Sequence, residues 1–470
     1  MPPDGDAAQL LAQARRAYLV AAAGCGKTET VAKAAGLCSD GRQLVLTHTH
    51  AGVKALKDRL RKVGTPRGHV HVDTIAGFAL RYAASFPGRS GIVITEPRTP
   101  EEWAAVYEAA QRVFEGRVGR GVLRESFSGL FVDEYQDCTK DQHALVIAMA
   151  DVVPARLVLD PMQGIFGFAG DLVTVDQDLA PEFEALPELT TPWRWHNGNR
   201  ELGDWLVDVR RDLERGVPID LAAAPIDHGA PTPQNQTATC RTVAGRDGSV
   251  VAIGQWPQDC QSIGRRLRGV FTCMEPIECP DLLSWAGRIE AATGPARAAE
   301  LIRFASTCKT KVGTDLSSAR DRLAAGTMAS SAGSEEKRAA IAALNHVAAS
   351  GELNGVLRAM NAIDRLPGYM YRRELWREMG RTIRAFGTDR HPTLPGAAWH
   401  VRDGGRQEGR RVERRTVSRT LLVKGLEFDH AILLDADRHD RMHLYVGLTR
   451  ASSTLTVLSV GSTVSPAAMR

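Results

Sequence analysis

Apolar residues fall into two alternating rhythms along the first half of the chain. Short unbroken runs at residues 17–23, 43–49, 129–134 and 156–160 are each followed by a longer segment of mixed apolar and polar character. Brief runs without polar alternation mark strands buried on both faces of a parallel sheet. The segments at 28–37, 51–63 and 143–153 read as helices. Strand–helix repeats with right-handed crossovers gather ligand sites at the carboxyl ends of the strands. Thr99-Pro100-Glu101-Glu102 is a helix start, with a capping hydroxyl, a proline in the first turn and acids against the positive helix end.

The second half has a different texture. Residues 218–239 are rich in proline and polar side chains and read as a linker. Residues 295–390 are helical in pattern, interrupted by small residues at 326–334. After 391–396 the strand pattern returns at 421–423, 430–435 and 454–460. A chain of 470 residues exceeds what one core supports and points to about two to four domains.

Composition narrows the classes. The chain is 43% hydrophobic and 24% charged, with a net charge of +4, which permits an acidic partner without requiring one. The eight cysteines (Cys25, Cys38, Cys138, Cys240, Cys260, Cys273, Cys279 and Cys308) lack zinc-site spacing, so reduced thiols and a cytoplasmic location are expected. No apolar run approaches the ~18 residues of a membrane span, so no membrane partner is expected. Arg15-Arg16 before the run 17–23 imitates an export signal, but the run leads directly into a glycine turn and reads as a buried strand.

That turn carries the first chemistry. Ala21 to Thr28 reads AAAGCGKT, a strand end, a glycine-rich loop and a Lys-Thr pair that opens a helix. Backbone N–H groups of Ala23, Gly24, Cys25, Gly26, Lys27, Thr28 and Glu29 are placed to cradle phosphates, with Lys27 reaching the β and γ groups and Thr28 a Mg²⁺ ion. Ala21 stands where such loops usually begin with glycine. A second apolar run ends in Asp133-Glu134: Asp133 is the second Mg²⁺ candidate, and Glu134 the group that polarises an attacking water. ATP and Mg²⁺ are therefore the expected substrate and cofactor.

From Asp133-Glu134-Tyr135-Gln136-Asp137 onward, the motifs resemble those of superfamily 1A helicases, the UvrD/Rep/PcrA group. Leu46 to His50, Asp73 to Phe78, Asp160 to Gly170, Thr191 to Trp195, Val423 to Asp429 and Leu444 to Ala451 follow in that family's order. The resemblance implies an α/β fold of two RecA-like P-loop domains with small, mainly helical insertions. Its boundaries would be 1–190 for the first motor domain, with a reduced insertion at about 80–128, then 191–294 and 396–470 for the second, split by a helical insertion at 295–395. It implies that Gln163 senses the γ-phosphate and that Arg194 and Arg450 reach it from the second domain. Trp193 would stack on adenine, Glu427 would bond the ribose, and Gly425 would let the backbone approach. It further implies 3′-to-5′ movement on single-stranded DNA or on DNA with a 3′ tail.

For the track, Phe168 and Trp195 are stacking candidates. Thr47, His48, Thr49, His50 and Thr74 are polar groups at strand ends suited to phosphate contact. Core packing is the competing reading for Phe168, and an interface brace for Trp195. Lys424 divides between strand contact and packing. Seven arginines from Arg402 to Arg419 make either a basic patch beside the strand or a solvated loop. The motifs depart from the family at Gln9 and Gln13, which lack the usual adenine-reading context, at Thr420-Leu421-Leu422, at Ala169 and at His50. The compact size resembles the helicase subunit of the Gabija antiphage system, which implies a nuclease/ATPase partner. Two functions follow: a translocating helicase, or a DNA-sensing ATPase that gates that nuclease.

Overall fold

The computed structural model describes residues 4–94, 96–97, 99–167, 170–276, 279–350, 353–386, 391–408 and 412–468. Two six-stranded sheets, parallel throughout, form its frame. The first comprises β1 (Arg16–Val20), β2 (Gln43–Thr47), β3 (Val70–Thr74), β4 (Gly129–Val132), β5 (Ala155–Leu159) and β6 (Glu184–Ala185), in the order β3-β2-β4-β5-β1-β6. Every residue of β2, β4 and β5 is buried, as their unbroken apolar character dictates. Helices pack on both faces around two cores, one containing Phe78, Phe114 and Tyr135 and the other Leu19, Val31 and Phe131. Because β4, β5 and β1 are neighbours, the loops leaving Val132, Leu159 and Val20 emerge side by side.

A two-stranded antiparallel pair, β7 (Ile219–Asp220) with β14 (Thr463–Val464), flanks the second sheet. That sheet comprises β8 (Asp227–Gly229), β9 (Val250–Gly254), β10 (Thr272–Cys273), β11 (Arg415–Arg419), β12 (Phe428–Leu433) and β13 (Ala451–Leu458), ordered β10-β11-β9-β12-β13-β8. β10 and β11 are hydrogen-bonded neighbours although well over a hundred residues separate them; a unit of helices leaves the sheet after one and returns at the other. The unit has its own core, in which Phe304 and Trp376 stack with ring centroids 5.5 Å apart. Arg372 ties it to the sheet, donating to both oxygens of Glu275 at 2.7 and 2.6 Å and to Asp281 at 2.6 Å.

Several local expectations are corrected. The apolar run 421–423 is a short helix, Thr420–Val423, and the strand lies just before it at Arg415–Arg419. Its inner residues Thr416, Val417 and Ser418 are all buried; two of them are polar, which hid the strand. Residues 218–239 are not a free linker, since β7, β8 and the start of the helix Pro233–Ala244 lie there. In the first unit, Thr99 does cap the helix Pro100–Glu115, with the reciprocal bond from Glu102 in place. Among the described residues no helix is long and apolar enough to cross a membrane.

Candidate functional site

β1 delivers the glycine-rich loop expected to hold phosphates. Ala21 N–H still bonds Leu159 O as a last rung of the sheet, and the backbone then turns through Gly24 (φ 74°) and Gly26 (φ 87°) into the helix Lys27–Leu37. Gly24 is required twice over: its backbone is left-handed, and a Cβ there would lie 2.4 Å from the Trp195 ring. The helix start aims its free N–H groups at the loop. Lys27, 8% exposed, donates to Ala21 O at 3.1 Å and stands 3.6 Å from Asp160 Oδ2. Cys25 is buried in the turn. The Glu29 side chain points to Lys33 and Arg59, so only its backbone belongs to the loop.

β4 delivers the carboxylates. Thr28 Oγ1 donates to Asp133 Oδ2 at 3.1 Å, so a hydroxyl and a carboxylate converge as hard oxygen donors of the kind Mg²⁺ takes. Such an ion keeps most of its coordination for water and phosphate, so one or two protein ligands suffice. Glu134 sits at φ 57°, a left-handed backbone that a non-glycine residue adopts at a cost. Gln136 holds it, donating from Nε2 to Glu134 Oε2 at 2.5 Å while its Oε1 accepts from Asp160 N–H at 2.9 Å. Burial, and then the Glu134 charge, push the Asp133 carboxyl above its usual range. Burial acts on Glu134 in the same sense, but Lys27 and Lys424 outweigh it and hold Glu134 lower. The two lysines thus favour the charged form of Glu134, the form a general base requires.

The second sheet closes the seam from the other side. Arg194, in the turn Trp193–Trp195, donates its backbone N–H to Gly24 O at 3.1 Å and its Nη1 to Thr449 O at 2.6 Å. Arg450 is 1% exposed, and among the described residues its hydrogen bonds go to neutral groups: Val446 O at 2.7 Å, Leu426 O at 3.1 Å, Thr449 Oγ1 at 2.8 Å and Gln163 Oε1 at 3.4 Å. Burial, reinforced by the like charge of Arg194, lowers its pKa to about 9. Gln163 in turn donates to Asp160 Oδ2 at 2.6 Å, so a chain of polar contacts joins Arg450, Gln163, Asp160 and Lys27 across the seam. Tyr445 adds a direct contact, its hydroxyl accepting from Ala23 N–H at 3.0 Å. Trp193, 36% exposed, lies with Cδ1 3.7 Å from the Cβ position of Gly26, which leaves part of an indole beside the loop.

A cavity of about 910 Å³ is lined by Thr28, Asp133 and Glu134, by Thr47, His48 and Thr49, and by Trp103, Tyr107, Phe166 and Lys424. Thr49 caps the helix His50–Lys62 by accepting from Gly52 N–H at 3.0 Å. Burial, then Lys424, lowers His48 to about 4, so it lines the cavity as a neutral ring and supplies no charge to a phosphate. His50 is exposed and Thr74 is buried as a helix cap; neither lines the cavity.

Several readings change. Trp195 cannot stack on a base: it is 1% exposed, and its Nε1 donates to Ala451 O at 2.7 Å, because the indole fills the space against Gly24 and the second core. Lys424 bridges the sheets, with Nζ 2.6 Å from Asp137 Oδ2 and bonded also to Gln163 O, so its charge is already used. Glu427 pairs with Arg194 Nε at 2.8 Å and orients that guanidinium, which takes its carboxylate from a sugar role. Gly425 keeps its expected place, with φ 75° and no protein atom within 4 Å of its Cβ position. The arginine cluster also disperses: Arg402 is buried against Glu378, and Arg415 is spent on the carbonyls of Ala244 and Arg246. Phe168, Arg410 and Arg411 lie outside the described residues, as does the side chain of Arg406.

Asp160, Tyr445, Phe166, Trp103 and Tyr107 were not singled out from the sequence. Asp160 had a signal, an acid at the end of the strand beside the one that ends at Asp133. Trp103 and Tyr107 had another, an aromatic pair four apart on one helix face.

No protein-family model matches the chain, and no curated protein matches it. Among solved structures it is similar to the arterivirus nonstructural protein 10 helicase, in its complex with DNA, at 11% identity and a TM-score of 0.36, over 97% of this chain and 63% of that one. The same viral protein in a second structure gives 10% identity and a TM-score of 0.36, over 97% and 61%. The Pif1 helicase of Candida albicans gives 11% identity and a TM-score of 0.40, over 98% and 94%. The chain spans less than two thirds of the length of the arterivirus proteins it matches.

Proposed function

We propose that this chain is a nucleic-acid-dependent nucleoside triphosphatase, a motor that couples ATP hydrolysis in the seam to movement along single-stranded DNA. The observation that carries the reading is Arg450: a guanidinium fully buried among neutral partners, linked by Gln163 and Asp160 to a phosphate-loop lysine. No carboxylate is hydrogen-bonded to Arg450 among the described residues, Glu134 and Asp160 attracting it without bonding it, so the transferring phosphoryl group would be its closest counter-charge.

Lys27 and the loop amides bind the phosphates, and Thr28 with Asp133 would hold Mg²⁺, which supplies charge neutralisation between the phosphate oxygens. Glu134 accepts the proton of the attacking water at its carboxylate. Arg194 and Arg450 stabilise charge on the transferring phosphoryl group. Both come from the second unit, so the triphosphate draws the two sheets together and its cleavage releases them. Trp193 offers a ring face to the base.

The strand would follow the cavity past Thr47 and Thr49, with Trp103 and Phe166 as sequence-independent stacking surfaces. Movement in the 3′-to-5′ direction, membership of the UvrD-like group and work alongside a nuclease are the finer parts of the proposal. Only about fifty residues, helical over much of their length, separate β3 from β4, which favours walking on one strand over parting two. That observation keeps the second reading, a DNA-sensing ATPase that gates a nuclease.

Steady-state ATP hydrolysis with and without single-stranded DNA, at rising salt, tests the proposal. Stimulation at low salt that fades as salt rises is expected, because DNA binding releases condensed counterions. No stimulation at low salt would overturn it. Strand release from a 3′-tailed duplex separates the helicase from the sensor.

A further inference from the structure

Arg210 lies on the helix Arg200–Arg215, contributed from the far side of the seam, and is 6% exposed. Three carboxylates surround its guanidinium. Nε is 3.6 Å from Asp160 Oδ1, Nη1 is bonded to Glu188, and Nη2 is 3.1 Å from Glu214 Oε1. Asp160 is fully buried, and its other oxygen stands 3.6 Å from Lys27 Nζ. One buried carboxylate is therefore shared between two cations: the phosphate-loop lysine and an arginine that contacts no part of the loop's phosphate cradle.

Lys27 cannot serve Asp160 and a triphosphate equally well. When it turns to phosphate, Asp160 loses a close positive neighbour inside a low-dielectric seam, where an uncompensated carboxylate is strongly unfavourable. We propose that Arg210 is a positioning residue for the nucleotide: by holding the charge of Asp160, it releases Lys27 to the phosphates. The Nε of Arg210 is buried without a hydrogen-bond partner among the described residues. A small shortening of the 3.6 Å gap as Lys27 leaves thus gains a charge-assisted hydrogen bond that the resting arrangement lacks. Arg210 comes from outside the first sheet, so the lysine's freedom depends on the seam being assembled. The inference rests on the nucleotide reading above and extends it to a residue that touches no substrate.

The test is calorimetric titration of the full chain with Mg·ATPγS in a double-mutant cycle. Arg210→Gln is expected to weaken binding about tenfold or more, and Arg210→Lys, which keeps the charge but not the fork, about threefold. In an Asp160→Asn background the carboxylate that Lys27 shares with Arg210 is gone, and either change is then expected to cost less than about twofold. A purely structural role would weaken binding equally in both backgrounds, and that result overturns the inference, as does wild-type binding by Arg210→Gln. Should Arg210→Gln fail to fold, the Arg210→Lys cycle decides by the same comparison. Failure of the unsubstituted chain to bind Mg·ATPγS would overturn the nucleotide reading itself.

Discussion

Arg450 reaches Gln163 across the seam, Nη2 to Oε1 at 3.4 Å, and nothing charged bonds its guanidinium among the described residues. An arginine so placed acts on charge that develops in the transition state more than on ground-state binding. Arg450→Ala is expected to lower kcat for ATP hydrolysis by about 10³-fold or more, with a much smaller change in Mg·ATPγS affinity. Single-turnover hydrolysis beside calorimetric binding measures the two separately. An equal loss in both would show that Arg450 merely binds.

Lys424 and Asp137 join the two sheets, and both side chains are 6% exposed. Removing one partner strands the other. Lys424→Met or Asp137→Asn alone is expected to destabilise the chain by about 3–5 kcal/mol in denaturant unfolding, while the double change recovers much of the loss. Additive losses would mean that the pair is not a unit.

Gly24 turns the phosphate loop against the Trp195 ring. Gly24→Ala is expected to cost on the order of 2–4 kcal/mol, from a left-handed backbone and a Cβ pressed against the indole. Thermal unfolding reads this, and Trp195→Leu should relieve the steric share but not the backbone share.

Trp103 lines the cavity, stacked near Tyr107 with ring centroids 6.1 Å apart. Trp103→Ala is expected to weaken single-stranded DNA binding about 5- to 100-fold, the worth of one base stacked on an aromatic ring. Fluorescence anisotropy with a labelled oligonucleotide reads the change, with Mg·ATPγS binding in the absence of DNA as the control for folding. Unchanged DNA affinity would remove Trp103 from the track.

His439 is fully buried, and burial pushes its pKa down from 6.5 to about 4. The unfolded chain therefore takes up this proton between pH 6.5 and 4 while the folded chain does not. Its contribution to stability is complete above pH 6.5 and declines as pH falls toward 4, at up to about 1.4 kcal/mol per unit. His439→Gln should flatten that part of a stability-versus-pH curve, measured by urea unfolding at each pH. His48, also lowered to about 4, adds a second contribution of the same sign.

Local chemistry made much of the first unit legible. The run into AAAGCGKT had to be a strand meeting a helix through a glycine turn, and Asp133-Glu134 had to end a buried strand, because each signal is confined to adjacent residues. β11 was missed for the opposite reason: Thr416 and Ser418 are polar in the sequence yet buried in the sheet, where Thr416 Oγ1 donates to Glu413 O at 2.8 Å and Ser418 Oγ to Met274 Sδ at 3.3 Å.

The roles at the seam divide along the same line. Sequence alone determined the phosphate loop, the acidic strand end and the alternation that builds parallel sheets, since short-range spacing encodes backbone conformation and burial. Tertiary structure alone decided that Trp195 braces the loop, that Lys424 is consumed by Asp137, that Glu427 steers Arg194, and that Asp160 stands between Lys27 and Arg210. A side chain's charge is either free for a ligand or neutralised by a partner hundreds of residues away, and only the folded chain brings that partner within reach.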